Sequence, residues 1–171
     1  MAGFEIRRVR DGEMALLPAI EADAAEAFRE VGLEFIADQP PMAASQYCDI
    51  AKDGCVFVAV AATGEVVGFA ALGRMDGQAW LREMSVRRDY AGQGIGRALL
   101  GAATGWARDT GFGHLVLTTF ADIAFNGPFY RKSGFQVINP DPDWPQLAKV
   151  RNAERSSGIE IAPRVAMKLV L

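Results

Sequence analysis

Short apolar or alternating segments, each bounded by turn residues, recur along the chain and predict about six or seven strands. These segments are Phe4–Val9, Cys55–Ala62, Val66–Arg74, Ala79–Val86, His114–Thr119, Phe135–Ile138 and Arg164–Leu171. Tight turns at Thr63–Glu65 and Met75–Gln78 join three of them into a meander. The pattern therefore favours antiparallel neighbours in the first half of the sheet.

Apolar residues at helical spacing predict about four or five helices between and around these strands. The helical stretches are residues 11–38, where Gly32 breaks the pattern, Met42–Asp53, a helix from about Gly94 to Thr110, Asn126–Ser133 and Gln146–Ser157. Hairpin connections dominate, and two strand–helix–strand crossovers come late in the chain. The sequence thus predicts an α/β (α+β) fold with a mixed, mostly antiparallel twisted sheet, formed by a single domain over residues 1–171.

Composition excludes several classes of protein. The chain has 171 residues, half of them hydrophobic, which is typical of one globular domain. The longest apolar run, Cys55–Ala62, is far short of the ~20 residues of a membrane-spanning helix. With 18 Lys+Arg against 21 Asp+Glu, the net charge of −3 argues against a nucleic-acid partner. The start of the sequence lacks an apolar signal core, so we expect a cytoplasmic protein without a membrane partner.

The acidic residues are unevenly distributed. Residues 11–38 contain eight acids against one base, Arg29. A solvated acidic face is the commoner meaning of such a run. Two cysteines, Cys48 and Cys55, and a single histidine, His114, offer neither a disulfide scaffold nor a metal site, so no metal is expected.

A glycine-rich turn between a strand and a helix carries the clearest chemical signal. Glycines at positions 92, 94 and 96 allow successive backbone N–H groups to converge at the positive end of the following helix. Such a turn binds a phosphate or diphosphate, and Arg87, Arg88 and Arg97 lie close by in the sequence. The segment lacks the Gly-Lys-Ser/Thr of a Walker A loop and the spacing of a dinucleotide fingerprint. The alternative to phosphate binding is a glycine turn whose only role is to let the helix pack on the strand.

Two motifs resemble those of the GNAT N-acetyltransferase superfamily. The first is Ala91–Gly92–Gln93–Gly94–Ile95–Gly96, similar to the acetyl-CoA-binding motif [R/Q]-x-x-G-x-[G/A] within residues 84–100. The second is Phe129–Phe135, similar to the family's FYxxxGF junction. The resemblance extends over about residues 55–138. Ala91 departs from the family's Arg or Gln, which removes a side chain but leaves a backbone N–H for the diphosphate.

The resemblance implies a GNAT-like fold with acetyl-CoA as cosubstrate. The backbone of Met84, Ser85 and Val86 would pair with the pantetheine arm. Asn126 would contact the pantetheine or the thioester region. The pyrophosphate would be held by the N–H groups of Ala91, Gly92, Gln93, Gly94, Ile95, Gly96 and Arg97.

Two residues are candidates for proton transfer. Tyr130 is a general-acid candidate, because a phenol with a pKa near ~10 can return a proton to the departing thiolate. Glu83 is the candidate base. If strand alternation is unbroken, Glu83 faces the same side as Leu81 and Ser85, and apolar neighbours would raise its pKa. The alternative for Tyr130 is a half-buried aromatic side chain without a chemical role. The alternative for Glu83 is a surface or ion-paired carboxylate, and a bulge in the strand would change the side that Glu83 faces. Glu21, Glu26 and Asp122 are weaker candidates for substrate binding.

The sequence therefore predicts an N-acetyltransferase that moves an acetyl group directly to a primary amine. The acidic residues 11–38, where the family builds its acceptor wall, favour a small cationic acceptor. A protein N-terminus or lysine as acceptor, and a non-catalytic acyl-CoA-binding sensor, are the alternatives. A homodimer is compatible with the family, with exposed edge strands such as Arg164–Leu171 as the means of association.

Overall fold

A computed structural model describes residues 3–171, which form seven strands and six α-helices. The strands are β1 Phe4–Arg8, β2 Cys55–Ala61, β3 Val66–Met75, β4 Gln78–Val86, β5 His114–Phe120, β6 Gln136–Ile138 and β7 Arg164–Val170. The helices are α1 Leu17–Ala25, α2 Glu34–Ala37, α3 Ala44–Asp53, α4 Ile95–Thr110, α5 Gly127–Lys132 and α6 Pro145–Ser156. Most of these bounds lie within one or two residues of those predicted from the sequence.

The seven strands hydrogen-bond in the order β1-β2-β3-β4-β5-β7-β6. The β1–β2, β2–β3, β5–β7 and β6–β7 pairs are antiparallel, whereas β4 and β5 are parallel. The parallel pair is the expected result of the β4–α4–β5 crossover. The prediction of a mixed, mostly antiparallel sheet is confirmed. That residues 1–171 form one domain stays a prediction.

The chain divides into two compact units, of which the first comprises residues 1–73 and 81–106. Its strands β1, β2 and β3 form a meander with a register shift between Ala59 and Val60. Helices α1 and α3 cover this meander, because their buried side chains join those of the strands in one cluster. That cluster includes Leu17, Ile20, Tyr47, Val56, Val58 and Phe69.

The second unit comprises residues 74–80 and 107–171. Strand β5 pairs with β7 from His114↔Val170 to Phe120↔Arg164, and β7 also pairs with β6. Leu147 of α6 is fully buried against Met75, Val116 and Ala166. The backbone N–H groups at the start of α6 donate to the carboxylate of Asp76, which caps this helix.

One expectation from the sequence is only partly right and another is wrong. The helical segment 11–38 has the predicted break at Gly32 (φ 77°), which ends a 3-10 turn before α2, but 3-10 turns at Glu13–Leu16 and Glu26–Val31 flank a shorter α1. Strand β7 is not an edge strand, because it lies between β5 and β6. The basis for expecting association through Arg164–Leu171 is therefore lost.

Within residues 3–171, no helix is long and apolar enough to cross a membrane. Over the same range, no group of three or more His, Cys, Asp or Glu side chains is arranged to hold a metal ion.

Candidate active site

The connection from β4 to α4 is a glycine turn open to solvent. Gly92 and Gly94 have φ angles of 75° and 84°, which side-chain-bearing residues rarely adopt. A Cβ added at either position would meet nothing in the protein within 4 Å. These glycines are therefore required by the backbone path, and the space beside them is free for a ligand.

Backbone N–H groups of this turn lack acceptors within the protein. Residues 92–94 donate no hydrogen bond to any part of the described chain. The first intrahelical bond of α4 is from the Ala98 N–H to the Gly94 carbonyl, at 3.0 Å. Since the first turn of a helix has no internal acceptors, the N–H groups of Ile95, Gly96 and Arg97 are available as well. Together with the helix dipole, these donors suit a diphosphate.

The structure corrects one detail of the sequence prediction. The N–H of Ala91 donates to the Arg88 carbonyl at 3.1 Å, which closes the 3-10 turn Arg88–Tyr90. This N–H is therefore not available for the diphosphate. Only the donors of residues 92–97 fit that role.

Arginine charge around the turn is smaller than the sequence suggested. Arg87 pairs with Glu65 and, at 2.9 Å, with Asp89, and Arg88 pairs with Asp23. Arg97 is exposed and forms no ion pair within residues 3–171. Of the three arginines, Arg97 alone brings a positive charge that no carboxylate already neutralises. An anionic ligand at the turn would depend mainly on backbone N–H groups and Arg97.

Glu83 lies on β4, three residues before the strand ends. The Ser85 hydroxyl donates to the Glu83 carboxylate (Oγ to Oε1, 2.9 Å), so the two side chains lie on the same side of the strand, as predicted. Burial, and after it the negative charge of Glu21, raises the pKa of Glu83 to about 7. The hydrogen bond from Ser85 and the charge of Arg82 oppose this shift. A carboxyl with such a pKa exchanges protons near neutral pH.

Glu21 of α1 belongs to the same electrostatic group. Its Oε2 atom accepts hydrogen bonds from the Tyr47 hydroxyl and, at 2.9 Å, from the Met42 N–H. Burial raises the pKa of Glu21, while these two donors and Arg82 lower it. Tyr47 is fully buried, and its own pKa is raised by burial, by the charge of Glu83 and by its bond to Glu21.

The second unit contains the other two predicted site residues. Tyr130 of α5 is 9% exposed, and its ring packs edge-on against Phe129 and Phe135. Asn126 precedes α5, and its carbonyl accepts the Tyr130 N–H at 3.0 Å. The Asn126 amide group donates to the neighbouring Phe125 carbonyl. Tyr130 is thus a well-packed residue rather than a half-buried one.

Gly127 fixes the position of α5 by close backbone contact. A Cβ at this position would lie 2.2 Å from the carbonyl oxygen of Ala121. The Arg131 guanidinium also donates to that carbonyl, at 2.9 Å. The loop between β5 and α5 is therefore tied to the helix that carries Tyr130.

Sequence reasoning missed Tyr47 altogether and placed Glu21 only among weaker candidates. Twenty-six positions separate the two residues, and no motif surrounds either of them. Of the other weaker candidates, Glu26 pairs with Arg29, and Asp122 is exposed. Only a contact between α1 and α3 distinguishes Glu21 from its acidic neighbours.

Comparison with known proteins identifies the family. The sequence model of the acetyltransferase (GNAT) family matches residues 18–135. The chain belongs to this family.

Two relatives are acetyltransferases by name. Streptothricin acetyltransferase of Streptomyces lavendulae is 38% identical over 94 residues, which cover 52% of this chain and 48% of that protein. The chain therefore matches about half the length of that relative. Aminoglycoside N(6')-acetyltransferase type 1 of Stenotrophomonas maltophilia is 34% identical over 128 residues, covering 69% of this chain and 83% of the relative.

The fold is shared with solved structures of low sequence identity. The PaiA N-acetyltransferase of Thermoplasma acidophilum, solved in complex with coenzyme A, superposes with a TM-score of 0.69 at 17% identity. The superposition covers 98% of this chain and 99% of that protein. The predicted GNAT-like fold is thereby confirmed.

Proposed function

We propose that the protein transfers an acetyl group from acetyl-CoA to a primary amine of a small cationic molecule. The observation that carries this proposal is the Glu83 carboxyl, whose pKa of about 7 suits a base at neutral pH. In the same unit, the turn at residues 92–97 offers unpaired N–H groups to the diphosphate of acetyl-CoA. Membership of the acetyltransferase family supports both assignments.

Glu83 would prepare the amine for attack. An alkylammonium has no free electron pair, so the Glu83 carboxylate first takes one proton from it. The amine nitrogen then forms a bond to the thioester carbonyl carbon, and the carbon–sulfur bond breaks. The products are the acetylated amine, free CoA and one proton released to solvent from Glu83.

Tyr130 would supply the proton that the departing thiolate needs. A phenol is a slightly weaker acid than a thiol, so the transfer costs little. The second proton lost by the nitrogen restores the phenol, and the acid is ready for another cycle. This role rests on the family motif around Tyr130.

Two observations support a cationic acceptor. Glu21 and Glu83 are partly buried carboxylates of the first unit, and the negative charge of Glu21 helps to raise the pKa of Glu83. The two relatives are named for streptothricin and for aminoglycosides. An acceptor ammonium would find favourable negative charge at these two carboxylates.

The test is release of free CoA from acetyl-CoA with a panel of amines, with the products identified by mass. Streptothricin, an aminoglycoside and putrescine represent cationic acceptors, whereas glutamate and aspartate represent anionic ones. We expect amine-dependent release that is fastest with the cationic members. Bound acetyl-CoA without an acetylated product from any amine would instead indicate an acyl-CoA-binding sensor. Faster reaction with glutamate or aspartate would contradict the cationic acceptor.

A further inference from the structure

The 3-10 turn Arg88–Tyr90 comes directly before the glycine turn and sets the path by which the chain enters it. The Ala91 N–H donates to the Arg88 carbonyl at 3.1 Å, so the backbone is fixed as far as Ala91. Residues 92–94, by contrast, donate no hydrogen bond to any part of the described chain. The position of these free N–H groups therefore depends on what holds the 3-10 turn in place.

Two elements of the first unit hold this 3-10 turn from outside. The Arg87 N–H donates to the carbonyl of Val67 on β3, at 2.8 Å. The next N–H along the chain, that of Arg88, donates to the Oδ2 atom of Asp23 on α1, also at 2.8 Å. The first N–H groups of a helical turn have no acceptor within the turn. Asp23 thus caps this turn from a helix that lies 65 positions away in the sequence.

Asp23 can fix another segment because α1 is itself fixed. Leu17 and Ile20 of this helix are buried in the cluster that α1 and α3 form with the strands. The second carboxylate oxygen of Asp23 lies 3.5 Å from the Arg88 guanidinium, so both oxygens face the same residue. A short side chain on a packed helix holds a backbone N–H more firmly than an exposed pair of long side chains would.

We propose that Asp23 is a positioning residue of the cofactor site: through the Arg88 N–H it holds the 3-10 turn so that the N–H groups of residues 92–97 meet the diphosphate of acetyl-CoA in one arrangement. This role rests on the proposed function for the binding of acetyl-CoA at the glycine turn. It requires no acetyl transfer and can be measured without an acceptor. One acid of the segment 11–38 would then serve the cofactor rather than the acceptor.

The negative charge of Asp23 makes this role separable from a purely electrostatic one. Acetyl-CoA is an anion, so removal of a nearby carboxylate, which also releases the Arg88 guanidinium, should strengthen binding if charge alone matters. Loss of the hydrogen bond has the opposite effect. The 3-10 turn can then leave its arrangement, and the affinity falls with the fraction of molecules that retain it.

The test is calorimetric binding of acetyl-CoA to the wild type and to three variants. Asp23→Ala removes the acceptor of the Arg88 N–H and should weaken binding by about fivefold or more. Asp23→Asn keeps an oxygen acceptor without the charge, so it should bind at least as tightly as the wild type. Asp38→Ala is the matched control, because it removes the same type of side chain from an ion pair with Arg29 in the same acidic segment. Its affinity should stay within about twofold of the wild type.

Amide hydrogen exchange, measured residue by residue by NMR, shows whether the turn or the whole unit responds. In Asp23→Ala the N–H groups of Arg88 and Ala91 should exchange at least about fivefold faster, because the turn opens more often. The N–H groups of β2 should keep their wild-type rates. Faster exchange throughout the first unit would mean general destabilisation and would overturn the positioning role.

The binding outcomes distinguish the role of Asp23 from the proposed function. Unchanged or tighter binding in Asp23→Ala, or equal weakening in Asp23→Asn or Asp38→Ala, would overturn the positioning role. Gly94→Val places a side chain beside the free N–H groups, and its retained affinity would refute the cofactor site and this role together. Weaker binding in Asp23→Ala alone, without an acetylated product from any amine, would uphold the positioning role and refute the proposed transfer.

Discussion

At the scale of single residues, the site depends on which charges the protein compensates and which it does not. Arg7 forms two hydrogen bonds with Glu13 and lowers the pKa of that carboxyl to about 2. Glu83 receives one side-chain hydrogen bond, from Ser85, and its pKa is raised to about 7. The same side-chain type is thus a permanent anion at one position and a carboxyl that exchanges its proton near neutral pH at the other.

Tyr130 provides a prediction at this scale. Tyr130→Phe should lower turnover by about tenfold or more, because the thiolate would lose its acid, while acetyl-CoA binding stays nearly unchanged. The measurements are steady-state turnover and calorimetric binding of acetyl-CoA. Tyr90→Phe is a matched control, since Tyr90 lies beneath the Arg87 guanidinium and has no assigned chemical role. Equal turnover in wild type and Tyr130→Phe would remove Tyr130 from the mechanism.

The sequence could predict which side of β4 Glu83 faces, but not the residues around it. Strand alternation is local, so the shared facing of Glu83 and Ser85 follows from two neighbouring positions. The pairing of Tyr47 with Glu21 joins α3 to α1, and no local pattern encodes such a contact. The sequence likewise could not predict that the Ala91 N–H is already hydrogen-bonded, because its acceptor, the Arg88 carbonyl, is brought into place by a 3-10 turn.

At the scale of elements, strands were more predictable than helices. Strand bounds follow from alternation and turn residues, and β2 and β3 differ from their predicted ends by a single residue. The apolar pattern over residues 11–38 did not distinguish two 3-10 turns from α-helix, because the apolar spacing of the two is nearly the same. The position of β7 inside the sheet depends on long-range pairing and could not be read from its own residues.

The glycine turn before α4 provides the prediction at this scale. Gly94→Val should abolish acetyl-CoA binding, because Gly94 has a φ of 84° and a side chain would occupy the space beside the free N–H groups. Gly64→Val is the matched control, since Gly64 has a φ of 86° and also no neighbour within 4 Å of an added Cβ. Both variants should lose about 1–3 kcal/mol of stability from backbone strain.

Binding by calorimetry and thermal unfolding of both variants separate the two effects. The account requires that Gly64→Val keeps the affinity for acetyl-CoA despite its strain. Retained affinity in Gly94→Val would mean that the turn only connects β4 to α4.

At the scale of the molecule, one group of charged side chains, none of them a candidate active-site residue, forms a buried network. In the second unit, buried Arg151 donates to Glu154 at 3.1 Å, to Glu160 and to the Arg164 carbonyl. Glu154 also accepts from Arg164 and Thr118. Both carboxylates of this network thus have arginine partners.

Replacing Arg151 tests the structural role of this network. Arg151→Met should lower the free energy of unfolding by about 3 kcal/mol, because buried Glu154 and partly buried Glu160 would lose a partner. Arg155→Met, on the same helix, removes an exposed arginine 3.5 Å from Glu160 and should cost at most about 1 kcal/mol. Urea unfolding measures both values. Equal losses in the two variants would contradict a special role for the buried network.

The central claim is that Glu83 deprotonates the acceptor amine, and the pH dependence of kcat/KM for wild type and Glu83→Gln tests it most directly. A base must be ionised, so the wild-type rate should rise with pH through about 7. In Glu83→Gln this rise should move to alkaline pH, toward the ~10 of a free alkylamine. Glu30→Gln, which alters an exposed glutamate, should keep the wild-type profile. An identical profile in wild type and Glu83→Gln would contradict the account.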